Sequence, residues 1–185
     1  MKTATQILRR EHEGIMKMLE VAEAAAKKLE RGKRVSSKTL GDLLDFFQTF
    51  GDKCHHSKEE ELLFPALETK GIPRSGGPIG IMLTDHEQGR ALLEALGQAT
   101  SDYRANRRGA GQRWARTAWN YIHLLRGHIY REDNVLLAIA EGILRPSEQN
   151  ELAEKFEKLE VEKVGRGTHT RLHGVINRMT AKKAA

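Results

Sequence analysis

The residues best suited to chemistry lie in Cys54-His55-His56-Ser57-Lys58-Glu59-Glu60-Glu61-Leu62-Leu63-Phe64-Pro65. This stretch holds two His–x3–Glu pairs in staggered register, His55 with Glu59 and His56 with Glu60. Residues four apart lie about 40° from each other around a helix axis, so each pair turns an imidazole and a carboxylate toward one point. A second such element, His128 with Glu132, occurs in His128-Ile129-Tyr130-Arg131-Glu132-Asp133-Asn134. His12 and His86 stand singly on other apolar stripes. Nitrogen and oxygen donors without thiolate suit iron or manganese, and carboxylates from facing helices can bridge a metal pair and offset its charge in a dry core.

The elements that must position these groups read as helices. Ile7, Leu8, His12, Ile15, Met16, Leu19, Ala22, Ala26 and Leu29 recur at helical spacing and predict a helix from about Thr3 to Arg31, stopped near Gly32. Ser36 or Ser37 caps a second, which carries Leu40, Leu43, Leu44, Phe47 and Phe50 into the histidine-rich stretch. Phased from Leu44 and Phe47 through Gly51, His55 continues the buried face, which makes His55 and Glu59 the inward pair and His56 and Glu60 flanking groups. Pro65 predicts a kink or break, with a stop by Gly71. A third helix is expected from about Ile79 to Tyr103 and a fourth from about Gln112 to Glu141, where Gly127 suggests close packing against another backbone. Residues 1–144 thus form a four-helix bundle. Residues 145–185 form a C-terminal helical extension: Ser147 caps a helix to about Lys163, and Thr168 caps a last one to about Lys182.

Composition bounds the function. A chain of 185 residues, 39% hydrophobic and 30% charged, with four prolines and 5% aromatic residues, fits a helix-rich globular protein. No apolar run reaches membrane-spanning length, no secretory leader opens the sequence, and one cysteine allows no internal disulfide; a cytoplasmic location is the expectation. The net charge of +6 is interspersed near helix ends, where the helix dipole favours cations, so nucleic-acid binding is not expected.

Each feature has a plain reading when taken alone. His12 or His86 would be a hydrogen-bonded core histidine, and Glu59, Glu60 and Glu61 with Lys58 a solvated helix face. Four helices that each offer an inward histidine, two of them followed four residues on by glutamate, overturn those readings together. The pattern His12 … His55-x-x-x-Glu59-Glu60-x-x-Leu63-Phe64-Pro65 … His86 … His128-Ile129-x-x-Glu132-Asp133-x-x-Leu136 closely resembles the hemerythrin-like (HHE cation-binding) domain over about residues 5–141. The resemblance implies an all-α, up-and-down four-helix bundle. It also implies a centre of two non-haem iron ions, oxo- or hydroxo-bridged, held by His12, His55, Glu59, His86, His128 and Glu132. Its partner would be a small molecule such as oxygen, nitric oxide or peroxide, bound, sensed or turned over.

One departure stands out. Oxygen-carrying members place His–x3–His on the third helix, whereas His86 is followed at that spacing by Arg90, a cation that cannot ligate. Either His56 or His123 supplies the missing nitrogen, or one iron keeps an open position. On the fourth helix those members use an aspartate five residues after the histidine, here Asp133; same-face geometry favours Glu132. His123 is expected outside the centre, His169 and His173 on a solvated helix, Cys54 as a packed thiol and Tyr130 facing away, with no role for Asp85. The alternative function is a helical interaction or signalling module whose C-terminal helices, from about Ser147, contact a partner.

Overall fold

The computed structural model describes residues 2–165, 167 and 174–180, and these hold helices and no strand. Helix α1 (Ala4–Glu30) starts on a reciprocal cap in which Gln6 N–H donates to Thr3 Oγ1 and Thr3 N–H donates to Gln6 Oε1. Ser36 caps α2 (Ser37–Phe46), accepting from Thr39 N–H at 3.0 Å. The same rod then winds more loosely, as π-helix, over Phe47–His56 and Glu59–Leu63 before closing as α3 (Phe64–Glu68). Helix α4 (Gly77–Arg104) carries Pro78 in its first turn. Helix α5 (Ala110–Arg131) passes through a π turn, Glu132–Leu136, into α6 (Leu137–Ile143). With short connections between them, α1, α2–α3, α4 and α5–α6 are the four rods of an up-and-down bundle.

A C-terminal helical extension lies against this bundle. Helix α7 (Pro146–Val164) packs on α1 and on the π-wound part of the second rod. Residues 174–180 are helical too, and bury Ile176 and Met179 in the bundle core. Thr168 and the pair His169 and His173 lie outside the described residues.

Three local expectations are corrected. Winding continues through Pro65, because Phe64 N–H reaches back five residues to the Glu59 carbonyl and the proline falls in the first turn of α3. Ser147 does not cap α7; Arg145 does, donating its N–H to Glu148 Oε2 at 2.8 Å, with Pro146 in the first turn. Gly127 faces no foreign backbone. A Cβ there would meet Arg131 Nη1 at 3.2 Å, so the missing side chain makes room for that arginine to reach Asp85 at 2.6 Å.

The core is divided. One apolar cluster gathers Ile15, Leu19, Phe46, Phe47, Phe50, Trp114, Ile122 and Leu125. The other gathers Leu8, Leu63, Phe64, Ile79, Met82, Leu136 and Leu137, joined by Leu152 and Phe156 of α7. In sequence, His12, His55 and His86 fall between contributions to the two clusters on their rods, and His128 lies beside Ile129, the last contribution of its rod to the first; with them is buried a set of ionisable groups: Glu11, His12, His55, His56, Lys58, Glu59, His86, His128 and Glu132. Burying one ion costs several kcal/mol unless it is compensated. A layer of nine such groups inside a helical bundle therefore calls for a function.

Candidate metal centre

Local winding positions the donors. In a π turn the hydrogen bonds run to i−5, so each residue advances less around the axis than the ~100° of an α-helix. Over Phe47–His56 this brings the consecutive His55 and His56 both inside, 1% and 4% exposed. The α-helical phase that sets His56 aside as a flanking group fails at this point. Glu59 and Glu132 each open a five-residue π turn, and each carbonyl accepts from the residue five positions on, Phe64 and Leu137. The two His–x3–Glu elements are thus alike in the winding that follows each glutamate, although His55 lies in a π stretch and His128 in α5.

The donors converge as two groups that share Glu59. One consists of His12, His55, Glu59 and Glu132; the other of His56, Glu59, His86 and His128. Within each group one donor atom per residue lies within 4.8 Å of all the others. Glu59 Oε1 stands 2.8 Å from His55 Nε2, and Glu59 Oε2 stands 3.1 Å from His86 Nε2. Glu132 Oε2 lies 3.2 Å from His12 Nε2 and 3.4 Å from His128 Nε2. Each carboxylate therefore touches both groups, and both are fully buried.

These close approaches are not hydrogen bonds. Both oxygens of Glu59, both of Glu132, and Nε2 of His86 and His128 are buried without a properly directed hydrogen-bond partner. An unsatisfied buried acceptor costs about 1–3 kcal/mol, more if charged. His12 Nε2 and His55 Nε2 face each other at 2.9 Å, where two N–H groups would collide, so at least one of these nitrogens presents a lone pair. Convergent lone pairs and orphaned carboxylate oxygens fit a cation, and two groups joined by shared carboxylates fit a pair. The nitrogen–oxygen donor set, without thiolate, fits iron or manganese.

The outward nitrogens are as ordered as the inward ones. His12 Nδ1 meets Asp133 Oδ1 at 2.9 Å, His55 Nδ1 meets Glu11 Oε2 at 2.8 Å, and His86 Nδ1 meets Glu60 Oε1 at 2.6 Å. His56 Nδ1 meets Asp52 Oδ1 at 3.3 Å, and His128 Nδ1 meets Asp85 Oδ2 at 3.4 Å. A carboxylate that accepts from Nδ1–H fixes the ring, leaves Nε2 as the free base and makes it a stronger donor. All five inward histidines have such a partner. Arginines hold several of these carboxylates in turn: Arg131 bonds Asp85 at 2.6 Å, and Arg9 approaches Asp133 at 3.4 Å.

Electrostatics without a metal follows from this enclosure. Burial alone would lower His12, but the Glu132 charge and the bond to Asp133 outweigh it and raise its pKa to about 10. Burial likewise opposes His128, which Asp85 and Glu132 lift to about 9. Burial and the Glu59 charge push Glu132 upward; His12 and His128 prevail and hold it near 2. His56 goes the other way, to about 3, driven by burial and then by the His86 charge. Protons on some of these imidazoles thus do, in the metal-free chain, the neutralising that a cation would do.

The six residues expected at the centre, His12, His55, Glu59, His86, His128 and Glu132, are brought together, and His56 joins them. His123 does not; it is exposed and stacks on Trp119 with ring centroids 5.5 Å apart. Arg90 is not the vacated end of a ligand set. It donates to Asp52 at 2.8 Å and to Glu60 at 2.6 Å, clamping the carboxylates behind His56 and His86. Asp133 faces His12 Nδ1 while Glu132 faces inward, and Asp85, expected to have no role, orients His128. Tyr130 is exposed and Cys54 is buried. Glu11, Asp52 and Asp85 had no distinguishing sequence signal beyond lying one residue or one turn from a helical histidine, and Glu60, paired with His56 by spacing, meets His86 instead.

Comparison with known proteins bears on this geometry. Residues 3–140 match the Hemerythrin HHE cation binding domain, and the chain belongs to that family. Proteins named only as uncharacterized, from Mycobacterium tuberculosis (strain ATCC 25618 / H37Rv) and Mycobacterium bovis, are each 26% identical over 163 residues, covering 88% of this chain and 63% of theirs. The chain therefore spans less than two thirds of the length of these curated relatives. No solved structure matches it. No helix among the described residues is long and apolar enough to cross a membrane.

Proposed function

We propose that the chain is a non-haem di-iron protein that binds or senses a small molecule of the oxygen, nitric oxide or peroxide kind at the His/Glu centre. The observation that carries this reading is the set of orphaned oxygens of Glu59 and Glu132, buried among five Nε2 atoms whose rings are each oriented by a carboxylate. His12 and His55 would hold one iron, and His56, His86 and His128 the other, with Glu59 and Glu132 shared. Iron supplies reversible electron exchange and coordination of small ligands. The chain's own part is to fix the imidazoles, to exclude bulk water from the layer between two apolar clusters, and to keep two carboxylates ionised where no solvent reaches them. With Glu59 and Glu132 both shared, the His12/His55 side would carry one donor fewer than its neighbour and would be the side to take an exogenous ligand.

The test is an anaerobic iron titration followed by azide, nitric oxide and peroxide additions, read by absorption. Ligand-dependent bands that saturate at one ligand per chain support the reading. Iron bound without any response to all three ligands points instead to a structural metal in a helical interaction module, the role that the C-terminal extension would then serve.

A further inference from the structure

Helix α7 lies beyond the span matched to the family, yet it reaches the candidate centre through buried charges. Lys58 is 1% exposed and sits one turn past Cys54 on the second rod. Its ammonium donates to Glu160 Oε2 of α7 at 2.9 Å, across 102 residues of sequence, and to Glu11 Oε1 of α1. The other oxygen of Glu11, Oε2, accepts from His55 Nδ1 at 2.8 Å, and His55 Nε2 points at Glu59. The path Glu160–Lys58–Glu11–His55 is thus continuous and buried except at Glu160, and it meets the donors at His55, which belongs to the His12/His55 group alone. The carboxylates behind the other group, Asp52, Glu60 and Asp85, are held instead by Arg90 and Arg131 of the bundle.

The remaining ties of α7 bypass the centre. Lys70 bonds Glu148 at 2.9 Å, Lys163 bonds Glu61 at 2.8 Å, and Thr5 N–H donates to Gln149 at 3.3 Å. With Leu152 and Phe156 in the apolar cluster, α7 stays docked without Glu160. Docking therefore does not account for the burial of a lysine and a glutamate against His55. A buried cation with a single anionic neighbour can swing with it; held from the far side by a second carboxylate, Lys58 keeps Glu11 where its Oε2 meets the imidazole.

We propose that Glu160 of α7 is a positioning residue of the metal centre, acting through Lys58 and Glu11 on His55, and that it sets the affinity of the His12/His55 metal position selectively over that of the His56/His86/His128 position. This rests on the metal-binding reading above. Linkage makes the effect reciprocal: the factor by which docked α7 favours metal at the His12/His55 position is the factor by which metal there favours the docking of α7.

The experiment is a cobalt(II) titration of the full-length chain, anaerobically, with the two equivalents resolved by competition with a chelator and by the visible d–d bands of each site. Outer partners of metal-bound histidines are worth roughly 10–100-fold in affinity, and Glu160 is two links removed, so Glu160→Gln is expected to weaken one equivalent on the order of tenfold. That equivalent's d–d band shifts, while the affinity and band of the other equivalent stay within twofold. Lys163→Ala and Glu148→Gln, which each remove one other tie of α7 and leave it docked, leave both equivalents unchanged, and Glu160→Asp recovers part of the loss. Hydrogen exchange over 146–164 in each variant reports whether the helix remains docked. Two ions bound by the wild type, with Glu160→Gln unchanged at both, overturns this inference and leaves the proposed function standing. Equal weakening of both equivalents, or the same loss in Lys163→Ala, overturns it in favour of simple packing. A wild type that takes up no metal overturns both.

Discussion

Substituting Glu59 by glutamine keeps the side chain's size and removes the negative charge that both donor groups share. Glu59 Oε1 lies 2.8 Å from His55 Nε2 and Oε2 lies 3.1 Å from His86 Nε2, so each metal position loses an anionic donor at once. Removing a mere outer partner of a bound histidine already costs roughly 10–100-fold. A direct donor costs at least the upper figure, so about 100-fold per position, or ~2.8 kcal/mol at ~1.4 kcal/mol per decade, is the floor. The control is Glu61→Gln. That carboxylate points outward and pairs with Lys163 at 2.8 Å, with side chains 44% and 35% exposed. Such a surface pair contributes about 0–1 kcal/mol to stability and nothing to metal binding. Anaerobic iron(II) or cobalt(II) titration against a chelator of known affinity reads the difference, with thermal melts of both metal-free variants as the folding check. If Glu59→Gln binds both ions within threefold of the wild type, or if Glu61→Gln loses as much, the inward face has been assigned wrongly.

Two further outcomes follow from the geometry. His56→Ala lowers the bound metal by about one ion per chain, since it removes one of the three imidazoles on its side, whereas His123→Ala leaves the content unchanged; elemental analysis after desalting decides. The metal-free chain loses stability on the alkaline side. His12 and His128 have folded pKa values of about 10 and about 9, above the ordinary 6.5, so their contribution is complete below about 6.5 and is lost as pH rises through 9 to 10. Glu11 and Glu132, held near 2 against an ordinary 4.5, contribute above about 4.5 and are lost as pH falls toward 2. Melting temperatures of chelator-treated protein should therefore fall from pH 7 to 10, and the metal-loaded protein, whose imidazoles are already neutral, should not follow. Parallel curves would contradict the ionic account of the layer.

The four rods were legible because the apolar residues of α1, α4 and α5 recur with the helical period, and each rod is long enough for the pattern to dominate its ends. Six of the seven converging donors were legible for the same reason: His12, His55, His86 and His128 continue apolar stripes, and Glu59 and Glu132 lie one turn further on. His56 was legible only as one of two alternatives, with His123, for the nitrogen missing at Arg90, because phase carried at ~100° per residue from Leu44 drifts once Phe47–His56 winds as π-helix, and nothing in Phe47-Gln48-Thr49-Phe50-Gly51 announces that change. Pro65 misled for a related reason, since its clash is referred to an i−4 carbonyl that the wide turn displaces. Arg90 was read as an absence, whereas its guanidinium holds two carboxylates whose link to the centre is tertiary. Glu11 and Glu160 were invisible in principle: each is an ordinary glutamate on an amphipathic helix until Lys58 is placed between them. Periodicity locates what faces inward, but outer partners depend on how neighbouring rods align along their axes.

The proposed function requires two metal ions side by side, with Glu59 shared between them. Diffraction from crystals of the iron-loaded chain, collected at the iron absorption edge, tests it most directly. Two anomalous peaks are expected, one among His12, His55, Glu59 and Glu132 and the other among His56, Glu59, His86 and His128. A single peak, or iron found only on exposed carboxylates of the surface, would contradict it.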